Sequence, residues 1–273
     1  MSLKRHLAPG YVLECWDGSQ ALRRLGFSRR LAWQSALNSS TRDALHRCCV
    51  LYLPPTVRTR LHVVVDVGCN DGCWLAALKS VVWVGSAEVF EPNPDCFSIL
   101  QRRFGTEPTV RLHNLGIADR PGCLELKVAG SSDFSSFLPI RQELAKEYRA
   151  SAAYVDKTIV VSVDTLDNIL HELPEIDLLK IDVQGFERQV LEGASQILKR
   201  TRTILIEMNL KSHYKGDETF GCLDQLLTRR HHFEFWDMSS PCRGRSGCAL
   251  WVDAAYVNPV MKPSAGWYGN DTS

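Results

Sequence analysis

No segment of the sequence is apolar for long enough to cross a bilayer as a helix; the longest apolar runs, such as Leu61 to Val67, have the length of a strand. The first residues also lack the apolar centre of a secretory leader, so neither a leader nor membrane insertion is expected. A bias of charge is missing too: 32 Lys and Arg stand against 31 Asp and Glu, a formal net charge of +1. With no basic face carrying interleaved aromatics across the domain, nucleic acid is not an expected partner. Ten cysteines are present, yet no pair has C-x-x-C spacing; Cys48 and Cys49 are adjacent, and Cys69 and Cys73 flank a glycine-rich turn. Without a leader, this placement favours reduced thiols in a cytoplasmic protein over a disulfide framework. Cys242 and Cys248 with His231 and His232 come nearest to a metal set, but they are not assigned as one and no metal is expected. Internal repeats and low-complexity stretches are absent as well.

What is present is ordinary for a globular chain: 273 residues, 45% hydrophobic and 23% charged, enough to bury a full core. The charge is unevenly spread. Residues 1–60 hold ten Lys and Arg against Glu14, Asp17 and Asp43. Residues 1–55 therefore read as a basic, partly helical extension, with a helix over Thr41 to Leu53 stopped by Pro54-Pro55. From 56 to 256 the pattern alternates. Strands are expected at Leu61–Val67, Ala87–Phe90, Thr109–Leu112, Gly122–Val128, Thr158–Val163, Ile176–Val183, Thr203–Met208, Phe233–Trp236 and Cys248–Val252. Helices are expected at Gly72–Ser80, Pro94–Phe104, Ile140–Ala150, from Leu166, Glu187–Lys199 and Asp217–Arg230. Strands alternating with helices predict βαβ units in a mostly parallel, doubly wound α/β sheet. Residues 257–273 read as a flexible tail.

Three segments carry chemistry. Asp66-Val-Gly68-Cys-Asn70-Asp71-Gly72 lies where the first strand meets the first helix, the position at which open α/β sheets bind ligands. Gly68 and Gly72 allow a tight turn, and Asn70 tolerates left-handed backbone. A dinucleotide pyrophosphate would be opposed by Asp66 and Asp71, whereas the ammonium and sulfonium of S-adenosylmethionine would be attracted by about 1–4 kcal/mol each at ~4 Å. The second segment ends the next strand: Glu91, nineteen residues after Gly72, suits the two hydroxyls of a ribose. Asn114, Leu115 and Gly116 follow the third strand and would lie near the adenine, with Asp119 close by. The third is Lys180-Ile-Asp182-Val-Gln184-Gly-Phe-Glu187. Lys180 and Asp182 interrupt a buried strand two residues apart, so they share one face and read as an ion pair or as a catalytic group at the cleft.

Together with Val163-Asp-Thr-Leu-Asp167 and Ile204-Leu-Ile-Glu207, these segments resemble the FkbM-type methyltransferases over about residues 65–210. The resemblance implies a class I, Rossmann-like methyltransferase fold: a seven-stranded sheet with an antiparallel last strand and helices on both faces. It also implies transfer of a methyl group from S-adenosyl-L-methionine to a hydroxyl of a sugar, glycoside or secondary metabolite. One departure stands out, because the family usually has Glu where this chain has Gln184. Asp182 is the first candidate for the base or acceptor orienter, with Glu207 and His213 as alternatives. The serine-rich loop Ser131–Ser136 reads either as a cover that closes over a ligand or as a plain surface loop. A non-catalytic cofactor-binding module and an NAD-dependent oxidoreductase are the competing readings, and a homodimer is left open.

Overall fold

The computed structural model describes residues 48–147 and 154–261. The main sheet contains β1 (Arg60–Val67), β2 (Trp83–Phe90), β3 (Val110–His113), β7 (Ile176–Ile181), β8 (Thr201–Asn209), β9 (Glu234–Met238), β10 (Cys242–Arg243) and β11 (Ala249–Val257). Its order is β10-β11-β8-β7-β1-β2-β3, with β9 also paired to β11. Strands β3, β2, β1, β7 and β8 run parallel, and β11 lies antiparallel against β8. The class I arrangement is therefore present, with the short β10 as an additional strand.

Period-two alternation divides the core between the two faces of the sheet. Val64, Leu178 and Leu205 enter one cluster, whereas Val65, Leu179 and Ile204, each one residue away along its strand, enter the other. The first face is covered by α1 (Cys73–Val81) and α2 (Pro94–Phe104) through Leu75, Leu78, Leu100 and Phe104. Cys48, Val50, Leu51, Leu53 and Val57 are buried in the same cluster. The second face is covered by α4 (Leu166–Ile169), α5 (Glu187–Glu192) and α6 (Phe220–Gln225). Helix α3 (Gln142–Ala145) stands apart in a loop. No helix among the described residues is long and apolar enough to cross a membrane.

The expected segments at 122–128 and 158–163 do form strands, β5 (Gly122–Ala129) and β6 (Val155–Asp164), but outside the main sheet. They pair antiparallel and, with β4 (Gly116–Ile117), form a separate three-stranded sheet. Three expected helices are shorter. The stretch from Ile140 is held extended by a bridge to Tyr214 and by Arg141 N–H donating to the His213 carbonyl, leaving only α3 helical; residues 148–150 lie outside the described residues. The helix from Glu187 stops at Glu192 because the Asp167 carboxylate draws off the N–H groups of Gln196 and Ile197. Asp217 accepts from His213 and Tyr214 N–H instead of starting a helix, which begins at Phe220 and continues as a π turn over Leu226–Arg230. Of the helix expected over 41–53, residues 41–47 lie outside the described residues, and Val50–Tyr52 forms one 3-10 turn. Most of the extension expected before it and of the tail expected after 257 falls outside them as well.

Candidate functional site

Strand order reverses between β1 and β7, and at their carboxyl ends lies a cleft of about 650 Å³, of the size that holds a small molecule. The turn leaving β1 lines it through Gly68, Asn70 and Asp71. Gly68 has φ +78°, and a Cβ there would lie 1.9 Å from the Asp182 carbonyl oxygen, so β1 and β7 approach as closely as they do only with glycine. Gly68 and Cys69 N–H both donate to the Phe90 carbonyl, tying the turn to β2. Gly72, at φ +76°, faces away from the cleft toward Leu100 and Phe104. Asp71 accepts from Cys73 N–H at 2.9 Å and so caps the first turn of α1.

Glu91 is buried at the end of β2. One oxygen accepts from Asn70 N–H and the other from Asn93 N–H, both at 2.8 Å. Burial nevertheless pushes its carboxyl up to about 7. Each oxygen keeps lone-pair capacity for a second donor. Asn114 does not reach the cleft; its amide donates to the carbonyls of Glu91 and Pro92 and fixes that bend. Leu115, Gly116 and Ile117 do line the cleft, whereas Asp119 lies beside a separate surface hollow with Arg120 and Gly122.

Below the turn, the buried Lys180 ammonium lies 3.5 Å from Asp66 and 3.2 Å from Asp182, with its charge 5.3 Å from the centre of the Trp74 ring. The pairing of Lys180 with Asp182 expected from the sequence is thus present, and Asp66 joins it. Asp66 is fully buried, does not line the cleft, and carries two oxygens with no hydrogen-bond donor. Burial raises its carboxyl above the usual range. Asp182 itself lines the cleft.

Gln184 organises the acids around it. Its amide nitrogen donates to Asp182 and to Glu207, both at 2.9 Å, and its amide oxygen accepts from the Tyr214 hydroxyl at 2.9 Å. Its backbone is left-handed, φ +55°, and its carbonyl accepts from the Ser136 hydroxyl at 2.7 Å. Glu207 is half-buried, and burial, with Asp182 and Asp253 nearby, raises its carboxyl well above the usual range. Glu187 is buried and accepts from the N–H groups of Val183 and Gly185, so it holds the turn. His213 lines the cleft, and burial lowers its imidazole to about 4, which keeps it neutral at pH 7.

The cleft therefore gathers Gly68, Asn70, Asp71, Glu91, Gly116, Asp182, Glu207 and His213, while Asp66, Gly72 and Asn114 stand behind it. Several lining residues carried no sequence signal. Trp74 lies on α1; Tyr214 stands behind the wall, its hydroxyl bonded to the Gln184 amide oxygen. Asp133, in the serine-rich loop, accepts from the Asn70 side chain at 2.8 Å, so that loop does cover the cleft. Arg243, Arg245 and Trp251 come from the β10–β11 hairpin. Among the described residues no group of three or more His, Cys, Asp or Glu is placed to hold a metal, and the quartet of Cys242, Cys248, His231 and His232 is not assembled.

A family model for the methyltransferase FkbM domain matches residues 66–235. Among curated relatives, the 2-O-methyltransferase NoeI of Sinorhizobium fredii is 28% identical over 173 residues, 60% of this chain and 70% of that protein. The hexuronic acid methyltransferase AglP of Haloferax volcanii is 27% identical over 151 residues, 54% of this chain and 56% of that protein. A solved structure of methyltransferase FkbM from Methylobacillus flagellatus aligns with a TM-score of 0.47 at 15% identity, covering 87% of this chain and 58% of the other.

Proposed function

The chain belongs to the methyltransferase FkbM domain family, and from that premise we propose that it is an O-methyltransferase using S-adenosyl-L-methionine, with a hydroxyl of a sugar, glycoside or secondary metabolite as acceptor. The domain proposed to do this spans 56–256, and the free thiols of the described residues fit a cytoplasmic setting. The relatives named for 2-O-methylation and for a hexuronic acid support a sugar-like acceptor.

The residues present fit the cofactor. Glu91 keeps one free acceptor site on each oxygen for the two ribose hydroxyls, with Leu115 and Gly116 beside the base. Asp66 and Asp182 share the one Lys180 ammonium, which leaves net negative charge beside the turn, suited to a cationic ligand. When bound, S-adenosylmethionine supplies an electrophilic methyl group on a sulfonium. The protein then has to orient the acceptor oxygen and remove its proton, and a positioned base contributes roughly 10²–10⁴-fold.

The observation that carries this reading is the carboxylate pair Asp182 and Glu207 at the ends of β7 and β8, both gripped by the Gln184 amide. Asp182 takes the role of base or orienter; Glu207 and the neutral His213 flank the position from the β8 side. The test is a mass-spectrometric search for addition of one methylene across glycosides and natural-product alcohols, with Asp182→Ala alongside. Expected is a methylated product from the wild type and none from Asp182→Ala, which still binds S-adenosylhomocysteine by calorimetry. Full turnover in the variant removes Asp182 from the mechanism. Cofactor binding with no product from any acceptor supports a non-catalytic module, and binding of NAD in its place supports an oxidoreductase.

A further inference from the structure

Strand order divides the cleft into two halves. Glu91 and Gly116 lie on the β2–β3 side, and Asp182 and Glu207 end the strands at the middle. Beyond Glu207 the sheet continues into β11 and β10, which bring Trp251, Arg243 and Arg245 to the wall of the same cleft. This far half is where an acceptor has room, because Glu91 assigns the other side to the nucleoside. Its chemistry differs from that of the rest of the cleft.

Arg243 and Arg245 are exposed, and among the described residues no carboxylate forms an ion pair with either guanidinium. The other charged or titratable groups on that wall do not compete for an anion. Glu147 accepts from Ser246 N–H and hydroxyl at 3.0 and 2.9 Å, bonds that, with Lys211 nearby, lower its carboxyl below the usual range and hold it ionised. His213 is neutral at pH 7, and burial pushes the Cys242 thiol up to about 11, so it too is uncharged. The hairpin that carries the two arginines is not loose. Gly244 N–H donates to the Cys248 carbonyl, Arg245 N–H donates to the Glu147 carbonyl, and Arg243 spans to the Gly247 carbonyl at 2.9 Å. Two guanidinium groups are thus held on a fixed turn at the open side of the cleft, with the engaged Glu147 carboxylate beside them and Glu207 and Asp182 deeper in the cleft.

We propose that Arg243 and Arg245 bind an anionic substituent of the acceptor, a carboxylate or phosphate ester on a sugar-like ring that rests against Trp251, so that the substrate is an acidic rather than a neutral glycoside. The role of acceptor rests on the methyltransferase reading, but the anion site itself does not. Planar guanidinium forks match such oxyanions bidentately, and the charge-assisted bonds are about twice as strong as neutral ones.

The test is a calorimetric titration of the full chain, first with S-adenosylhomocysteine and then, in its presence, with methyl glucuronide, a phosphorylated methyl glucoside and neutral methyl glucoside. At least one of the two anionic sugars is expected to bind about tenfold or more tightly than the neutral one, with a preference that weakens as salt rises. The arm that binds tells carboxylate from phosphate ester. In R243A/R245A that preference is expected to disappear while S-adenosylhomocysteine affinity is unchanged; R243K/R245K retains part of it. Because both side chains are exposed, the variants should fold, as circular dichroism will check. Equal binding of charged and neutral sugars, binding of none, or an anion preference that survives R243A/R245A overturns the proposal. Failure of S-adenosylhomocysteine to bind counts against the cofactor assignment and leaves the sugar arms readable, so the two failures are distinct.

Discussion

Gln184→Glu exchanges one amide nitrogen for oxygen and tests whether that amide is what allows Asp182 and Glu207 to lie side by side. The nitrogen now donates one proton to each carboxylate at 2.9 Å. The variant places a third carboxyl group within the same distances. Burial already raises the Glu207 carboxyl, so the charged neighbour counted is Asp182, which at about 4 Å and an effective dielectric near 20 is worth roughly 4 kcal/mol, or about three pKa units. The introduced carboxyl therefore stays protonated through neutral pH. As an acid it has one O–H where the amide had two N–H donors, so one carboxylate loses its bond, at about 1–3 kcal/mol. The sign of the pH effect follows from linkage. The folded-state pKa of the introduced carboxyl lies above its unfolded value, so the proton's contribution is complete at low pH and is lost as pH rises through the folded pKa. At roughly 2–4 °C per kcal/mol, Gln184→Glu should melt about 5 °C below the wild type near pH 5.5, with the deficit growing to ~10 °C or more near pH 8.5. Thermal unfolding followed by circular dichroism across that range measures it. Gln184→Met, which removes both bonds without adding a titrating group, should show a deficit that grows less steeply toward alkaline pH than that of Gln184→Glu. A Gln184→Glu deficit that stays constant or shrinks toward alkaline pH would refute the reasoning.

Glu91→Ala should weaken S-adenosylhomocysteine binding by about 100-fold in calorimetry, since charge-assisted bonds to a ribose contribute roughly 1.5–3 kcal/mol each; unchanged affinity removes Glu91 from the site. Hydroxyl donors favour the ionised carboxylate, so with the Glu91 carboxyl near 7 in the free protein the wild-type affinity should rise as pH passes upward through that value, and Glu91→Gln should abolish the rise. Gly68→Ala puts a methyl group 1.9 Å from the Asp182 carbonyl at a backbone φ of +78°, and should cost about 3 kcal/mol or prevent folding. Gly122→Ala, where nothing lies within 4 Å of the new carbon, serves as the control, and equal melting temperatures for the two variants would contradict the close approach of β1 and β7.

The parts of this molecule legible in the sequence are those whose determinants are local. Helix α2 coincides with its expected bounds because Asn93 accepts the Asp95 N–H and Pro94 presets the first turn. Strands β1 and β7 are marked by apolar runs that only a doubly covered strand accommodates. Glu91 and the Lys180–Asp182 pair are visible because strand period and spacing place them. What is not legible depends on partners distant in sequence. Alternation in β5 does not say that its partner is β6 rather than the main sheet. The helix expected to continue past Glu192 is cut short by a carboxylate nearly thirty residues upstream, Asp167. The acceptor wall is harder still: Glu147 meets Ser246 across 99 positions, and Arg243 reaches the cleft only through the docking of β10 on β11.

A cationic ligand is favoured by the structure as by the sequence, but through different residues. Asp66 and Asp71 are the acids expected from the sequence to supply the negative field. Asp66 instead shares Lys180 with Asp182, and Asp71 caps α1 with Arg103 3.8 Å away. Two carboxylates against one ammonium leave about one net negative charge at the ends of β1 and β7, and of the pair Asp182 is the one that faces the cleft. Burial lifts the carboxyls of Glu207, Asp253 and Glu91, and Glu91, at about 7, is the one that moderates the acidic surroundings near neutral pH. Lys180 thereby sets the field: without it, buried Asp66 would be driven to its neutral form, and Asp182 would stand beside Glu207 with only the Gln184 amide between them. The same ammonium that lowers the attraction for a cation keeps the remaining negative charge on the residue placed to take a proton from a hydroxyl. In this cleft, holding the cofactor and activating the acceptor are two uses of one buried charge balance.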